Sequence, residues 1–458
     1  MFKLLSKPID LITGNPLQKI ILFMIPMLIG NIAQQLYNTV DSIIVGRFSG
    51  DNALAAVGSA GSILNLFIVF FVGISIGSSI MVSQYFGARD KENLTASIEC
   101  CLVLSVFCSI LIMVVSPFII RPLLEWISTP ETIIDQSYYY LLILLVGNVG
   151  LIFFNILSGV LRGLGDSISA LKYLLISTVI NIVLDLIFVA YFNMGAAGVA
   201  LATAIAQFVS AILCFKKLIQ MQDLFTLNFK KLSMKKIHIQ TIFKLGLPAG
   251  LTQAILSVAM IIVQSLTNSF GEMFIAATII VMRIDGFAMM PNFSIGNAMS
   301  TYAAQNIGAK QMDRVIKGGK QGAIFAIGFS TTLTILILVF GQYLMAIFTE
   351  TEELVDLSMR MMMILAPGYI AMAISQSLSG IIRGAGDTMT PMWISIFTSI
   401  IIRVPVAYGL VYLTKTPEFP TGRSESIFIS LLLSWVIGAI LTFICYRNGK
   451  WKTKALQK

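Results

Sequence analysis

The stretch from Ser158 to Asp166 reads SGVLRGLGD, and the stretch from Ser379 to Asp387 reads SGIIRGAGD. Six of the nine positions are identical, and the copies stand 221 residues apart. The same interval pairs Gln84, Gly87 and Ala88 with Gln305, Gly308 and Ala309, and Ser128 and Glu131 with Thr349 and Glu352. One offset shared by three separate landmarks marks a duplicated chain, with halves at roughly 10 to 220 and 240 to 450.

Composition sets the surroundings of this repeat. The 458 residues are 57% hydrophobic and 12% charged, and the mean hydropathy is +0.88. That balance excludes a soluble domain and predicts an all-α polytopic membrane protein. Apolar runs long enough to cross the hydrocarbon fall at 17–46, 53–84, 94–118, 133–160, 167–192 and 196–215 in the first half. The second half gives 242–267, 273–304, 318–347, 354–381, 388–413 and 426–446. Twelve spans result, six per half, and an even number returns the second half to the orientation of the first. The repeats are therefore parallel, the kind related by an axis along the membrane normal in transport folds.

A net charge of +9 could belong to a nucleic-acid binder, so the placement of the charge decides. With the N-terminus inside, one set of loops carries Lys3, Lys7, Arg89, Lys91, Arg162, Lys172, Arg314 and Arg383, the Lys pairs at 216–217, 230–231 and 235–236, and the tail from Arg447 to Lys458. The other set carries Arg47, Arg121, Lys415 and Arg423. The asymmetry places both termini in the cytoplasm. Its basic charge reads as topology and contact with the lipid surface, and no nucleic-acid partner is expected. The first apolar run is too long for a signal-peptide core and lacks its cleavage pattern, so no signal peptide is expected. Cys100, Cys101, Cys108, Cys214 and Cys445 have neither pairing nor metal spacing and read as small hydrophobes.

The domain reading is an N-lobe over 1–215, a basic cytoplasmic linker over 216–241 and a C-lobe with a basic tail over 242–458. The linker region holds the only histidine, His238, expected to be solvated.

Along the first span, Pro26 removes a backbone hydrogen bond and predicts a bend or hinge. Beyond it, Asn31, Gln34, Asn38 and Asp41 recur at helical spacing on one face. A carboxylate at mid-bilayer costs about 2.5–3.5 kcal/mol on insertion scales, which demands a reason for Asp41. Span 5 carries Ser177, Asn181 and Asp185 at four-residue intervals, and span 6 carries Thr203 and Gln207. Asp41, Asn181, Asp185 and Thr203 would supply only oxygen donors, including two carboxylates. Such a set suits a proton or a hard cation such as Na+.

The second half lacks these carboxylates: Ile262 or Val263 stands where Asp41 would fall, and Val406 where Asp185 would. It has instead Arg283 and Asp285 in span 8 and Arg403 in span 11, which either neutralise one another or line a substrate path. Tyr138, Tyr139 and Tyr140 read as an interfacial aromatic belt.

GLGD at 163–166 and GAGD at 384–387 also match the GxGD of intramembrane aspartyl proteases. That chemistry requires a second aspartate after a tyrosine, whereas Asp41, Asp185 and Asp285 follow Val40, Leu184 and Ile284. A glycine-rich turn at a helix end explains both copies better. With no HExxH, nucleophile elbow or Walker A loop present, the sequence points to no enzyme and leaves an ion gradient, or nothing, as the driving force.

The two six-helix halves, the proline-bent first span with Gln34 and Asp41, SQYFGAR at 83–89 against AQNIGAK at 304–310, and the paired SGxxRGxGD turns resemble the multidrug and toxic-compound extrusion (MATE) family. The likeness covers nearly the whole chain and is strongest to the DNA-damage-inducible F-like branch. It implies a V-shaped two-lobed transporter that exports small amphipathic, often cationic compounds in exchange for H+ or Na+, with no other cofactor. Asp41, Asn181, Asp185 and Thr203 fall where that family binds its N-lobe cation, and would be metal ligands only if the ion is Na+. Gln34, Asn38, Gln207, Arg283, Asp285 and Arg403 are the expected cavity residues. The expected setting is a monomer among the lipids of the cell membrane. The alternative is a flippase for lipid-linked sugars from a related superfamily.

Overall fold

A computed structural model describes residues 8–127, 129–228 and 234–455. Lys3, Lys7, Ser128, Lys230, Lys231 and Lys458 lie outside them. Among the described residues every regular element is helical. In hydrocarbon each backbone polar group must be satisfied within its own segment, and a helix does this. The spans are α1 (Pro16–Gly50), α2 (Ala55–Gly87), α3 (Lys91–Trp126), α5 (Ser167–Tyr191), α6 (Gly195–Gln220), α7 (Lys236–Asn268), α8 (Glu272–Gly308), α9 (Met312–Ala346), α11 (Met389–Leu413) and α12 (Glu425–Asn448). Two further spans are each a bent pair: α4a (Glu131–Val146) with α4b (Val149–Gly163), and α10a (Glu352–Leu365) with α10b (Gly368–Gly384). Counting each pair as one span gives twelve by length and composition. The chain is an all-α, multi-pass protein.

The sequence reads 133–160 and 354–381 as unbroken, but the pairs bend by 50° and 44°. In the second half the break falls at Pro367, which cannot donate to the preceding turn. Between α1 and α2 the helix breaks at Gly50, whose φ of 80° suits a residue without Cβ.

Packing divides the chain into two units. One holds Ile25–Gly250 with the segment up to Asp10, and the other holds Leu11–Met24 with the chain from Leu251 onward. In the first unit, α7 begins against α2 through glycines: a Cβ at Gly73 would stand 2.7 Å from the Gly246 carbonyl oxygen. In the second unit, Arg314 donates to the carbonyls of Gly14 at 2.7 Å, Thr13 at 2.9 Å and Leu11 at 3.2 Å, fixing the segment before α1.

The nine-residue repeat has a packing reason in each unit. A Cβ at Gly159 would meet the Ser75 carbonyl oxygen at 2.7 Å, and one at Gly163 would meet that of Ser79 at 2.9 Å. In the second half Gly380 abuts the Gly296 carbonyl and Gly384 that of Ser300. These four contacts obey the interval of the sequence repeat, so the motif's first two glycines are where α4b crosses α2 and α10b crosses α8. Small residues permit that close approach.

The motif's last two residues turn the chain. Gly165 and Gly386 have φ of +88° and +96°. Asp166 then caps α5, accepting from the Ser169 amide at 2.9 Å and hydroxyl at 2.7 Å. Asp387 does the same for Thr390, at 3.2 and 2.8 Å. Both GxGD aspartates are thus occupied at helix starts, Asp166 as the cap and Asp387 one residue before the cap.

His238 departs from expectation. It lies in the first turn of α7, is only 2% exposed and packs against Tyr85 with ring centroids 5.6 Å apart. Cys100, Cys101, Cys108 and Cys214 are buried, Cys445 is partly so, and all five are free thiols.

A carboxylate pair buried in the first unit

Asp41 reaches the site from α1, Asn181 and Asp185 from α5, and Thr203 from α6. Asn181 and Asp185 are fully buried, and Asp41 and Thr203 are half-buried. The four-residue interval from Asn181 to Asp185 stacks them on one face of α5. The amide of Asn181 spans the two carboxyl groups: oriented to donate, its nitrogen lies 2.9 Å from Asp41 Oδ1 and 3.2 Å from Asp185 Oδ2. This orientation is assigned from the acceptors around it. The other end of the amide faces Thr203 Oγ1 at 3.4 Å, and Thr203 Oγ1 in turn accepts from the Tyr37 hydroxyl at 3.0 Å.

The two carboxyl groups also approach within hydrogen-bonding range of each other. Asp185 Oδ1 is buried without a donor, and among the described residues no basic side chain acts on either aspartate. Two adjacent carboxylates in a low-dielectric site repel and are poorly solvated, so full ionisation is disfavoured without a proton or cation between them. The two carboxyl groups offer oxygens, the donor type a proton or hard cation takes, while the Asn181 amide presents its nitrogen to them.

The helix carrying Asp185 changes pitch at that residue: its α-helical part ends there and Leu186–Tyr191 form a π turn, with Phe192 N bonding to Ile187 O at 3.0 Å. π turns are rare and concentrate at functional sites. Tyr37, 9% exposed, and Tyr140, 8% exposed, complete the surroundings, and both feel the charge of the two aspartates. Neither tyrosine is among the residues expected from sequence. Tyr140 leaves the expected aromatic belt for the core, while Tyr139 stays 58% exposed.

The remaining expected residues are not brought into this cluster. Gln34 and Asn38 are exposed, and Gln207 is buried with Oε1 unpartnered. In the second unit Arg283 is exposed, Arg403 is buried, and the Asp285 carboxyl lies within electrostatic reach of Arg403.

Comparison with known proteins agrees with the duplicated architecture. The MatE family profile matches twice, over residues 26–187 and 248–409. The probable multidrug resistance protein YoeA of Bacillus subtilis (strain 168) is 32% identical over 448 residues, covering 95% of this chain and 94% of that relative. YpnP of the same organism, also described as a probable multidrug resistance protein, is 28% identical over 451 residues, covering 98% and 99%. A solved structure described as the outward-facing conformation of a multidrug resistance MATE family transporter superposes with a TM-score of 0.89 at 24% identity, covering 97% of this chain and 98% of that one. It shows the shared fold. The two matches of one profile, one in each half, and a relative above 30% identity over nearly the full length establish that this chain is a multi-pass membrane transporter belonging to the MatE family.

Proposed function

We propose that this transporter is a secondary antiporter that exports amphipathic, often cationic organic compounds in exchange for H+ or Na+, and that Asp41 and Asp185 hold the coupling cation, helped by Asn181 and Thr203. The observation that carries this reading is the carboxylate pair itself, Asp185 buried and Asp41 half-buried, with one oxygen unpartnered and no basic neighbour among the described residues. Asn181 spans the pair and holds the two groups in register. The likeness to multidrug resistance relatives supports organic substrates, and the residues of SGxxRGxGD, Gln34 and Asp41 support the DNA-damage-inducible F-like branch.

In this mechanism a cation entering from outside binds the pair and relieves its repulsion, and the compound leaves outward. Alternating access follows only if cation and compound prefer different states, since a ligand with equal affinity for both shifts nothing. Pro26 lies fifteen residues before Asp41 on the same helix, and its missing backbone hydrogen bond makes it the candidate moving part.

Dye-loaded vesicles under an imposed pH gradient, or a Na+ gradient, each alone, test the reading. Asp41→Asn and Asp185→Asn are each expected to abolish gradient-driven export of a cationic dye while the protein still inserts. Export at the wild-type rate in both variants would move coupling to another site.

A further inference from the structure

The second unit has its own half-buried acid within a span, and it is treated differently. Asp285 on α8 has its Oδ1 buried with no hydrogen-bond partner. The Tyr369 hydroxyl, which donates to Met362 Sδ at 3.5 Å from the start of α10b, and the Arg403 guanidinium of α11 both lie near enough to the carboxyl to act on it. Arg403 is 6% exposed and its Nε also lacks a partner. No direct ion-pair contact within 4.0 Å joins Arg403 to Asp285. Their neighbours along the helices are apolar: Ile284 and Ala288 beside Asp285, and Ala407 beside Arg403, belong with Tyr369 to one buried cluster, with Val404 packed against it. An uncompensated charge there is costly, and removing one partner of a buried pair is more damaging than removing both.

The two units can be compared term by term. In the first, two acids share a buried site without a base. In the second, one acid shares its site with a base. Each site also borders a π turn in the fifth span of its half: Asp185 immediately precedes Leu186–Tyr191, and Arg403 immediately follows Phe397–Ile402. At the repeat interval Arg403 corresponds to Ile182, one residue from Asn181. The fifth span of each half thus carries a buried polar group beside a π turn, although the two turns stand at different repeat positions, and only the second half has a fixed cation there.

We propose that Arg403 is a tethered cation that balances Asp285 as the exchangeable cation balances the first unit's pair, so that the second unit contains a latent cation site which opens when the guanidinium is removed. This rests on the coupling role proposed for Asp41 and Asp185. Among the described residues the groups acting on Asp285 are Tyr369 and Arg403, and with Arg403 replaced by an uncharged side chain the tyrosine hydroxyl remains to meet the carboxylate. A proton or a Na+ ion would then take the vacated electrostatic role.

The test uses the full chain in lipid nanodiscs, with the first site silenced by Asp41→Asn and Asp185→Asn together. Thermal unfolding and 22Na+ binding are measured with and without Na+ and from neutral to mildly acidic pH. In this background the protein with Arg403 intact should show neither Na+ binding nor stabilisation by Na+. Adding Arg403→Met should lower the melting temperature at neutral pH without Na+, and Na+ or acid should restore it. Arg403→Lys should behave as the intact protein, and Asp285→Asn added to Arg403→Met should remove the cation response. A folded Arg403→Met protein without any cation response, or a response that survives Asp285→Asn, overturns the proposal. If Arg403→Met alone does not fold, the Asp285→Asn/Arg403→Met pair decides: it should fold, and its failure also overturns the proposal. Failure of the first-unit reading shows separately, as export that persists in Asp41→Asn and Asp185→Asn.

Discussion

Tyr37 stands one helical turn before Asp41, and its hydroxyl donates to Thr203 Oγ1 rather than to either carboxyl. It supports a neutral ligand, so its loss should be mild. Interhelical side-chain hydrogen bonds in membranes average about 0.6 kcal/mol, and Tyr37→Phe should therefore slow gradient-driven export by roughly threefold, read as initial dye efflux. Asn181→Ala should cost more than that, because it removes the donor that spans both carboxyl groups, yet less than Asp41→Asn. An Asn181→Ala protein as inactive as Asp41→Asn would mean that the amide's hold on the carboxyl pair is as essential to coupling as a carboxylate itself. Asp41, Asn181, Asp185 and Thr203 were legible because polar residues at helical intervals stand out in apolar spans. Tyr140 was not, since its neighbours Tyr138 and Tyr139 are chemically identical and only the packing of α4a selects which one turns inward. Gln34 and Asn38 share the Asp41 stripe in sequence but lie exposed, because a helical face is wider than the contact it makes.

At the scale of single helices, the glycines of the repeated motif offer the sharpest test. Overpacking a tight contact costs about 1–3 kcal/mol, so Gly159→Ala and Gly163→Ala should each lower stability by that order in a thermal unfolding assay. Gly380→Ala and Gly384→Ala should cost at least as much, because each stands closer to its backbone carbonyl than Gly159 or Gly163 does. Gly58 or Gly286, whose surroundings are open, should tolerate alanine and serve as controls. The start of α3 gives a second test. Asp90 caps it, and the Asn93 side chain, then its backbone amide, hold the Asp90 carboxyl below the usual carboxylate range. The folded form therefore favours the charged carboxylate. Its contribution is present at neutral pH and is lost as pH falls through the lowered value. Asp90→Ala should cost about 1 kcal/mol at neutral pH, and that difference should shrink in acid. The repeat was visible in the sequence because glycine and aspartate have few substitutes at a crossing and a cap. The bends within the fourth and tenth spans were hidden, since a break of two or three residues leaves the apolar run intact.

For the whole chain, the positive loops predict that the linker and the C-terminal tail face the cytoplasm. Single cysteines at the exposed positions Gln222 and Lys454, in a background without the native thiols, should resist impermeant maleimide in intact cells and react once the membrane is opened. Labelling from outside would reverse the topology. Duplication into two halves was legible as one fixed interval, but the composition of the packed units was not. Residues Leu11–Met24 belong with the second unit although they precede the first unit's spans, and α7 changes unit after Gly250. Periodicity reports which residues are apolar, and it carries no information on which neighbour covers them. The buried histidine has a practical consequence of its own. With one imidazole in 458 residues, 2% exposed and beside Tyr85 at the foot of α7, an untagged preparation labelled at histidine would give a single resonance. That resonance would follow the junction of α2 and α7 through a transport cycle without any engineered probe.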